Sequence, residues 1–475
     1  MSAVQRFCVM NLGCKVNRAE ADSITAALVA HGAERAGLKE ADLVVVTTCT
    51  VTSAADAKSR KAVRRAAHAP ARPWVIVTGC AVALDDSQFR GISQRVRLLP
   101  DKAQALKESL ALLNLAAPSN NSPLASRFGA GFNTRASILV QDGCNKTCSY
   151  CVVPQARGPA RSLPPADILA QFEQALAAGC RELVLSGIDL GAYHAEGLDL
   201  PALLLHLFAA GKKIVAASRP LVGSLCAPSK QVAGTLCAPS EQPALDFRVR
   251  LSSLEPLSIS DALLALMVAH PGRLCAHLHV PLQSGSKSVL AAMCRGYSLD
   301  QYTERLLFAR RLVPQLALST DVIVGFPGET DADFEQSLAL CRQLGFCRVH
   351  AFRYSRRPLT PASELPGQID SQTMRYRSRV LRTLTGELAA ADAARRIGSS
   401  EWVLVGTDGL GRSDSYHEVE LAVSLRSTLQ PGRLYFLRFS GYRNGKLLAT
   451  AQVPSAAGDR NPTSRPPANA PTGGF

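Results

Sequence analysis

The chain has 475 residues, 47% of them hydrophobic, with 53 Lys and Arg against 38 Asp and Glu, a formal charge of +15 and a pI near 9.4. That length is too great for one ordinary domain and suggests about three; no apolar run approaches the 18 or so residues of a membrane span, and the N-terminus lacks a charged stretch followed by an apolar one. The protein is therefore expected in the cytoplasm, where 14 cysteines read as metal ligands and buried thiols rather than disulfides, and its charge points to a polyanionic partner, most simply nucleic acid.

In chain order, Gln5 to Leu12 reads as a short strand ending at Gly13-Cys14, with helical spacing from Arg18 to His31. Leu43 to Val46 is a β-branched strand ending at Thr47-Thr48-Cys49, Ala54 to His68 a second helix, and Trp74 to Val77 a third strand ending at Thr78-Gly79-Cys80. The cysteines are 35 and 31 residues apart, close to the thirty or so of a strand–helix–strand unit. Ligands bind at the carboxyl edge of open parallel sheets, so Cys14, Cys49 and Cys80 can converge on one three-ligand iron–sulfur site. Taken singly, each cysteine is also readable as a small buried hydrophobe, as Cys8 inside the first strand is expected to be. The second helix carries Lys58, Arg60, Lys61, Arg64 and Arg65 against Asp56, which is a solvated face or a phosphate contact. Residues 117–133 read as a linker.

The next domain opens with a strand over Ser137–Val140 that runs into QDGCNKTCSYCVVPQARGPARS, with Cys144, Cys148 and Cys151 in a C-x3-C-x2-C array. Three thiolates so spaced can hold three corners of an iron–sulfur cube and leave the fourth iron open to a substrate or cofactor. A zinc knuckle would need a fourth ligand at matching spacing. Further strands are expected at Glu182–Leu185, Phe247–Leu251, Ala276–Val280, Leu318–Val324 and Cys347–Phe352, with helices between. Six strand–helix units imply a partial parallel barrel working at its carboxyl ends. Those ends carry Ser186-Gly187 with Asp189, Ser252-Ser253 with Glu255, and Gly325 to Thr330, where glycine permits close backbone approach and the polar groups can meet amino and ribose groups. His277 and His279 read as partly buried histidines in preference to a catalytic base. Between the second and third strands LVGSLCAPSKQ is followed by VAGTLCAPSEQ, an eleven-residue duplication at 221–242; two copies cannot make a solenoid, and a surface insertion is expected. Cys226 and Cys237 follow from the duplication and receive no role, and Cys180, Cys275, Cys294, Cys341 and Cys347 are given to core or surface.

The cysteine stretch and its setting resemble the radical S-adenosylmethionine (radical SAM) superfamily, with Tyr150 matching the aromatic usual before the third cysteine. LGCKVN at 12–17, TTCTVT at 47–52 and TGC at 78–80, together with HLHVPLQSGS, MCRGY and FRYSRRPLTPA, resemble the methylthiotransferase family, closest to the branch acting on N6-threonylcarbamoyladenosine at position 37 of tRNA. The chain departs from that pattern at Thr47, where asparagine is usual, and at LLPDKAQ near residue 100. The resemblance implies two [4Fe-4S] clusters and S-adenosylmethionine. Cys144, Cys148 and Cys151 would be catalytic, serving reductive cleavage of the cofactor; Cys14, Cys49 and Cys80 would hold the sulfur-delivering cluster; Tyr150, Ser186, Gly187, Asp189, Ser253, Glu255, Gly325 and Gly328 would line the cofactor pocket. It implies tRNA as partner through its anticodon loop, and an electron donor such as a flavodoxin, with no membrane and no required oligomer. Isopentenyl-adenosine in tRNA or a ribosomal-protein aspartate are alternative substrates within the same chemistry; a non-catalytic zinc- and RNA-binding protein is the alternative from another class.

From Arg375 to Arg396 the spacing is helical and basic, with Arg375, Arg377, Arg379, Arg382, Arg395 and Arg396 on a solvated face or an RNA contact. After Gly398 short β-rich runs resemble the TRAM domain, an RNA-binding barrel, in which Tyr416, Tyr435, Phe436, Phe439 and Tyr442 could stack on bases or enter the core. The expected organisation is α/β and multidomain: an N-terminal open parallel α/β sheet (1–116), the linker, a central partial (β/α)6 radical SAM barrel (134–365, with an insertion near 213–243), a basic connecting helix (366–397), a small antiparallel TRAM-like β-barrel (398–453) and a disordered tail (454–475).

Overall fold

The computed structural model describes residues 5–115, 135–218 and 245–452. The expected linker at 117–133, the duplication at 221–242 and the tail at 454–475 lie outside the described residues.

The N-terminal unit is a five-stranded parallel sheet. Its strands are β1 (Arg6–Asn11), β2 (Glu34–Arg35), β3 (Leu43–Thr48), β4 (Trp74–Gly79) and β5 (Val96–Leu98), in the order β2-β1-β3-β4-β5. The β3 run LVVVTT is buried throughout, because helices cover both faces and alternate side chains must be apolar on each. Leu43 and Val45 pack with Phe7, Ile76 and Leu110 on the side of α1 (Lys15–Ala30) and α4 (Lys102–Leu112). Val44 and Val46 pack with Val63, Val75 and Phe89 on the side of α2 (Ser53–Ala67). Thr52 caps α2, accepting from Ala55 N at 3.2 Å, and Asp101 caps α4, accepting from Ala103 N at 2.7 Å. The unusual LLPDKAQ segment is therefore the end of β5 and the capped start of α4. A short helix, α3 (Cys80–Leu84), leaves β4 directly.

The central unit has two parallel three-stranded sheets. One holds β6 (Arg135–Leu139), β9 (Glu182–Ser186) and β12 (Arg248–Leu251) in the order β12-β9-β6. The other holds β13 (His277–His279), β14 (Ala317–Val324) and β15 (Arg348–Arg353). Bridges Val249–Leu274 and Ser253–His279 join β12 to β13, so six strands follow in sequence and the barrel stays open between β6 and β15. The minor ribbons are β7 (Gln141–Asp142) with β8 (Arg161–Ser162), and β10 (His194–Ala195) with β11 (Leu198–Asp199). The helices are α5 (Val153–Arg157), α6 (Pro165–Ala177), α7 (Leu200–Ser218), α8 (Asp261–Ala269), α9 (Lys287–Ala292), α10 (Leu299–Leu312) and α11 (Asp331–Leu344). Ile138, Leu183, Val249, Leu278 and Leu318 from the strands share one core with Phe172, Leu204 and Leu338 from the helices.

Helix α12 (Ser371–Ala394) packs on β15 and contributes Leu381, Leu384 and Leu388 to that core. Two basic residues of the 375–396 run do not face solvent. Arg377 is buried against Glu329 at 2.6 Å and Asp331 at 2.7 Å, and Arg396, just beyond the helix, is buried against Asp392 at 2.9 Å and Glu401 at 2.6 Å. Arg375, Arg379 and Arg382 are exposed.

The chain closes with a five-stranded barrel of β16 (Ser400–Val405), β17 (Leu410–Ser413), β18 (Glu418–Leu421), β19 (Leu434–Arg443) and β20 (Lys446–Gln452), with α13 (Val423–Arg426) across one end. Its pairings are antiparallel apart from β18–β20. Val403, Val419, Leu437, Phe439 and Leu447 fill it, so Phe439 is core and not a stacking platform. This barrel docks under the central one. Arg248 donates to the carbonyls of Trp402 and Arg412 at 2.8 and 2.7 Å, and Arg250 to those of Asp414 and Ser413 at 2.9 and 3.0 Å. Both arginines are fully buried on Glu182, which meets the requirement that buried charges be paired.

Candidate active site

The carboxyl ends of both sheets face one cavity of about 580 Å³. Cys14 stands at the N-cap of α1, Cys49 follows β3 and Cys80 opens α3, so three successive turns bring these thiols to the cavity. Cys144, Cys148 and Cys151 reach it from the loop between β7 and α5. Glycine is required just before that loop: Gly143 has φ +70, and a Cβ there would lie 2.0 Å from the Pro159 carbonyl oxygen. Among the described residues, the His/Cys/Asp/Glu group whose ligand atoms all lie within 4.8 Å is His279, Asp321 and His350. Neither cysteine trio is that tight, whereas a single ion with bonds of about 2.3 Å to sulfur would draw its thiolates together; the donor set and its spread fit a multi-iron cube.

Donors are already aimed at the sulfurs. Lys146 N lies 3.4 Å from Cys144 Sγ, Arg295 Nη1 3.3 Å from Cys148 Sγ, Val153 N 3.5 Å from Cys151 Sγ, and Arg157 Nε 3.1 Å from Cys80 Sγ. Burial pushes the Cys80 and Cys151 thiols up to about 11, in Cys80 against the opposing pull of Arg157. Burial also raises Cys49 and Cys144. Ligation of a metal, which releases these protons, must therefore supply the driving force for the thiolates.

Two arginines organise the site, and sequence reasoning gave neither a role. Arg157, at the end of α5, also bonds Asn17 at 2.6 Å, Asp142 at 2.7 Å and Glu20 at 3.0 Å, tying the N-terminal sheet to the barrel. Lys102 of the departing segment pairs with the same Glu20. Arg295, in MCRGY, reaches Glu255 at 2.5 Å and the Tyr150 and Tyr297 hydroxyls at 3.4 and 3.3 Å. Both lie inside motifs already singled out, yet their partners come from elements far away in sequence. At Thr47 the hydroxyl donates to Asn11 Oδ1 at 3.0 Å.

Of the cofactor-pocket residues expected from the sequence, Tyr150, Gly187, Asp189, Ser253 and Glu255 line the cavity. Asp189 pairs with Lys146, whose Nζ is 3.9 Å from Glu255. Ser186, Gly325 and Gly328 are not on its wall. Ser186 is buried with its hydroxyl 3.5 Å from the Val184 carbonyl. Gly325 has φ +77 and gives room to Met374 of α12, while Gly328 at φ +79 donates to the Gly367 carbonyl at 2.9 Å. These two glycines serve a turn and helix packing.

The opposite wall holds His277 and His279, both 8% exposed or less, bridged through Ser319 Oγ at 2.9 and 3.0 Å, with Asp321 3.3 Å from His279. They were expected as ordinary histidines; the structure sets them in the cavity. A side pocket of about 140 Å³ opens at the domain junction, between Val51, Thr52, Tyr150, Phe352 and Ser355. Beside it Arg357 of the barrel bonds Asp56 at 2.5 Å. The single acid of α2 is thus turned inward and neutralised, leaving Lys58, Lys61, Arg64 and Arg65 exposed.

The chain matches the radical SAM superfamily over residues 138–341, and an uncharacterized protein family, UPF0004, over residues 6–99. It is 31% identical over 396 residues to the threonylcarbamoyladenosine tRNA methylthiotransferase MtaB of Bacillus subtilis, covering 81% of each chain. The chain belongs to the radical SAM methylthiotransferase family. A tRNA-2-methylthio-N(6)-dimethylallyladenosine synthase from Streptomyces viridosporus is also 31% identical, over 86% of this chain and 77% of that one. Among solved structures, the radical S-adenosylmethionine methyltransferase TsrM from Kitasatospora setae aligns with a TM-score of 0.46 at 14% identity, covering 76% of this chain and 77% of that one. As a radical SAM methylthiotransferase the protein is an enzyme of sulfur insertion and methyl transfer, and it uses a [4Fe-4S] cluster and S-adenosylmethionine. Among the described residues no helix is long and apolar enough to cross a membrane.

Proposed function

We propose that the protein places a methylthio group on C2 of N6-threonylcarbamoyladenosine at position 37 of tRNA, using two [4Fe-4S] clusters. The observation that carries this reading is that six cysteines, in two trios from two folding units, face one cavity. Cys144, Cys148 and Cys151 would hold the radical SAM cluster, and Cys14, Cys49 and Cys80 a second. The bound groups supply one-electron chemistry and a resting place for sulfur, which an aromatic C–H that is not acidic requires.

The chain's own residues do the rest. Asp189 and Glu255, oriented by Lys146 and Arg295, offer acceptors for the amino and ribose groups of S-adenosylmethionine, with Tyr150, Gly187 and Ser253 beside them. Arg157 and Arg295 each present an N–H to a cysteine sulfur, an arrangement that steadies a thiolate. Val51, Val153 and Phe352 give the cavity an apolar stretch of wall. The exposed cations of α2 and the C-terminal barrel suit an RNA backbone. The reading places the protein in the cytoplasm beside an electron donor such as a flavodoxin, and it needs no second copy of the chain.

Iron and labile sulfide after anaerobic reconstitution test the two-cluster assignment: about eight irons in the parent and about four in each Cys-to-Ala triple variant are expected. About four in the parent would overturn it. Nucleoside mass spectrometry of tRNA from a strain lacking the protein tests the substrate. Loss of the methylthio form of threonylcarbamoyladenosine is expected; loss of the methylthio-isopentenyl form instead would select the second reading, which the equally similar Streptomyces relative favours.

A further inference from the structure

Strands β6 and β15 are the outer edges of the open barrel, and their first residues are Arg135 and Arg348. The C-terminal barrel presses the turn after β17 against these amino ends, and Tyr416, at φ 71, enters the cavity lining. Its ring stacks on His277 with centroids 4.7 Å apart. Four guanidinium groups surround it: Arg250 at 4.9 Å, Arg412 at 5.1 Å, Arg348 at 5.4 Å and Arg135 at 5.7 Å from the centroid. Of the two readings open for Tyr416, stacking on bases or entering a core, its ring takes an enclosed position.

Arg250 is fully buried and satisfied by Glu182 and two carbonyls. The other three are partly exposed and short of countercharge. Arg135 lies 2.6 Å from Glu182, but that carboxylate is shared with Arg248 and Arg250. Arg412 has Glu418 only at 4.0 Å. Arg348 makes no ion pair among the described residues. Burial lowers the Arg412 guanidinium from its usual range, and repulsion from Arg135 and Arg348 lowers it further, against Tyr416 and Glu418. Cation–π contacts offset part of this repulsion. An oxyanion would offset more, since guanidinium forks match carboxylate and phosphate geometry.

We propose that Arg135, Arg348 and Arg412, set around the Tyr416 ring at the open side of the barrel, form a seat for an oxyanion of the RNA substrate, either a backbone phosphate or the carboxylate of the modified adenosine. This rests on the RNA-modifying reading above. It makes the C-terminal barrel part of the site, because Arg412 and Tyr416 come from it while Arg135 and Arg348 come from the two barrel edges.

The test uses the full-length protein and two anticodon stem-loop RNAs, one with adenosine and one with N6-threonylcarbamoyladenosine at position 37. Affinity is measured by fluorescence anisotropy over a range of KCl for the parent, Arg348→Gln, Arg412→Gln, Arg348→Lys and the control Arg342→Gln on exposed α11. Each Gln variant at the seat should weaken binding about tenfold, with Arg348→Lys restoring part of it and the control unchanged. Equal loss on both RNAs with a salt slope shallower by about 0.7 identifies a phosphate; loss confined to the modified RNA identifies the carboxylate. Parent-like affinity of both Gln variants for both RNAs overturns the seat even if the parent methylthiolates its substrate. Tight parent binding without methylthiolation overturns the functional reading and leaves the seat standing, and no parent binding overturns both.

Discussion

Arg157 and Cys80, 77 residues apart, meet through an Nε–H···Sγ contact of 3.1 Å, and the same guanidinium spans Asn17, Glu20 and Asp142. One side chain therefore ties a cysteine of the N-terminal sheet to the loop that carries the other cysteine trio. Because it is almost fully buried, its removal leaves the Glu20 and Asp142 carboxylates with Lys102 and, for Asp142 alone, an exposed Arg161 at 3.5 Å as their remaining cations. Arg157→Met should cost about 3–5 kcal/mol in urea unfolding. Arg157→Lys should recover little of it, because a point charge cannot serve four partners in different directions. Unchanged stability in Arg157→Met would remove this residue as the link.

Gly143 sits one residue before Cys144 with its backbone in the left-handed region and the Pro159 carbonyl where a side chain would go. Gly143→Ala should shift the start of the cysteine loop, since neither neighbour is a movable side-chain end, and cost about 1–3 kcal/mol of backbone strain. Iron bound per chain should fall toward that of the Cys144/Cys148/Cys151 triple variant. Parent-like iron would show that the loop tolerates the displacement.

Stability should pass through a maximum near pH 5. Asp414 is buried and its carboxyl is pushed up to about 6; a raised folded value favours the protonated fold, so stability grows as pH falls through 6 toward the unfolded value of about 4, until other carboxylates begin to titrate. Glu182 and Asp392 behave oppositely. Burial would raise both, but Arg248, Arg250 and Arg135 hold Glu182 far down, and His417 and Arg396 hold Asp392 down. Their contribution is present above the unfolded values of about 4 and lost as pH falls below them. Thermal melts from pH 3 to 8 should show both limbs, and Asp414→Asn should flatten the upper one alone.

The exposed cations of α2 are expected to contact RNA. Lys61→Glu with Arg64→Glu should weaken stem-loop binding and reduce its salt slope by about 1–2, leaving S-adenosylmethionine cleavage without RNA unchanged. An unaltered slope would return that face to ordinary solvation.

Much of the architecture was readable before any coordinates. The strands that carry Cys14, Cys49 and Cys80 follow from β-branched runs such as LVVVTT, and their ends fall at cysteines because parallel strands deliver the residue after each one to the same edge. The six barrel strands were legible for a similar reason. The basic run near 375–396 misled in part: Arg377 looks like its exposed neighbours in one dimension, and the acid that buries it, Glu329, is distant in the chain, while Arg396 is enclosed by Asp392 and by Glu401 of β16, close in sequence but on different elements. Gly325 and Gly328 are ambiguous for another reason, since a close cofactor and a packing helix both call for a missing side chain.

The sequence by itself determined which groups are present and which local periods they obey: two cysteine trios, three folding units, a basic balance. Tertiary structure alone decided that the trios share one cavity, that Arg157 and Arg295 point at sulfur, and that Tyr416 enters from below among four arginines. Periodicity reports the face of an element that a residue occupies, because the helix and strand repeats are local. Which charge stands opposite depends on packing between elements tens to hundreds of residues apart, and no local repeat encodes it.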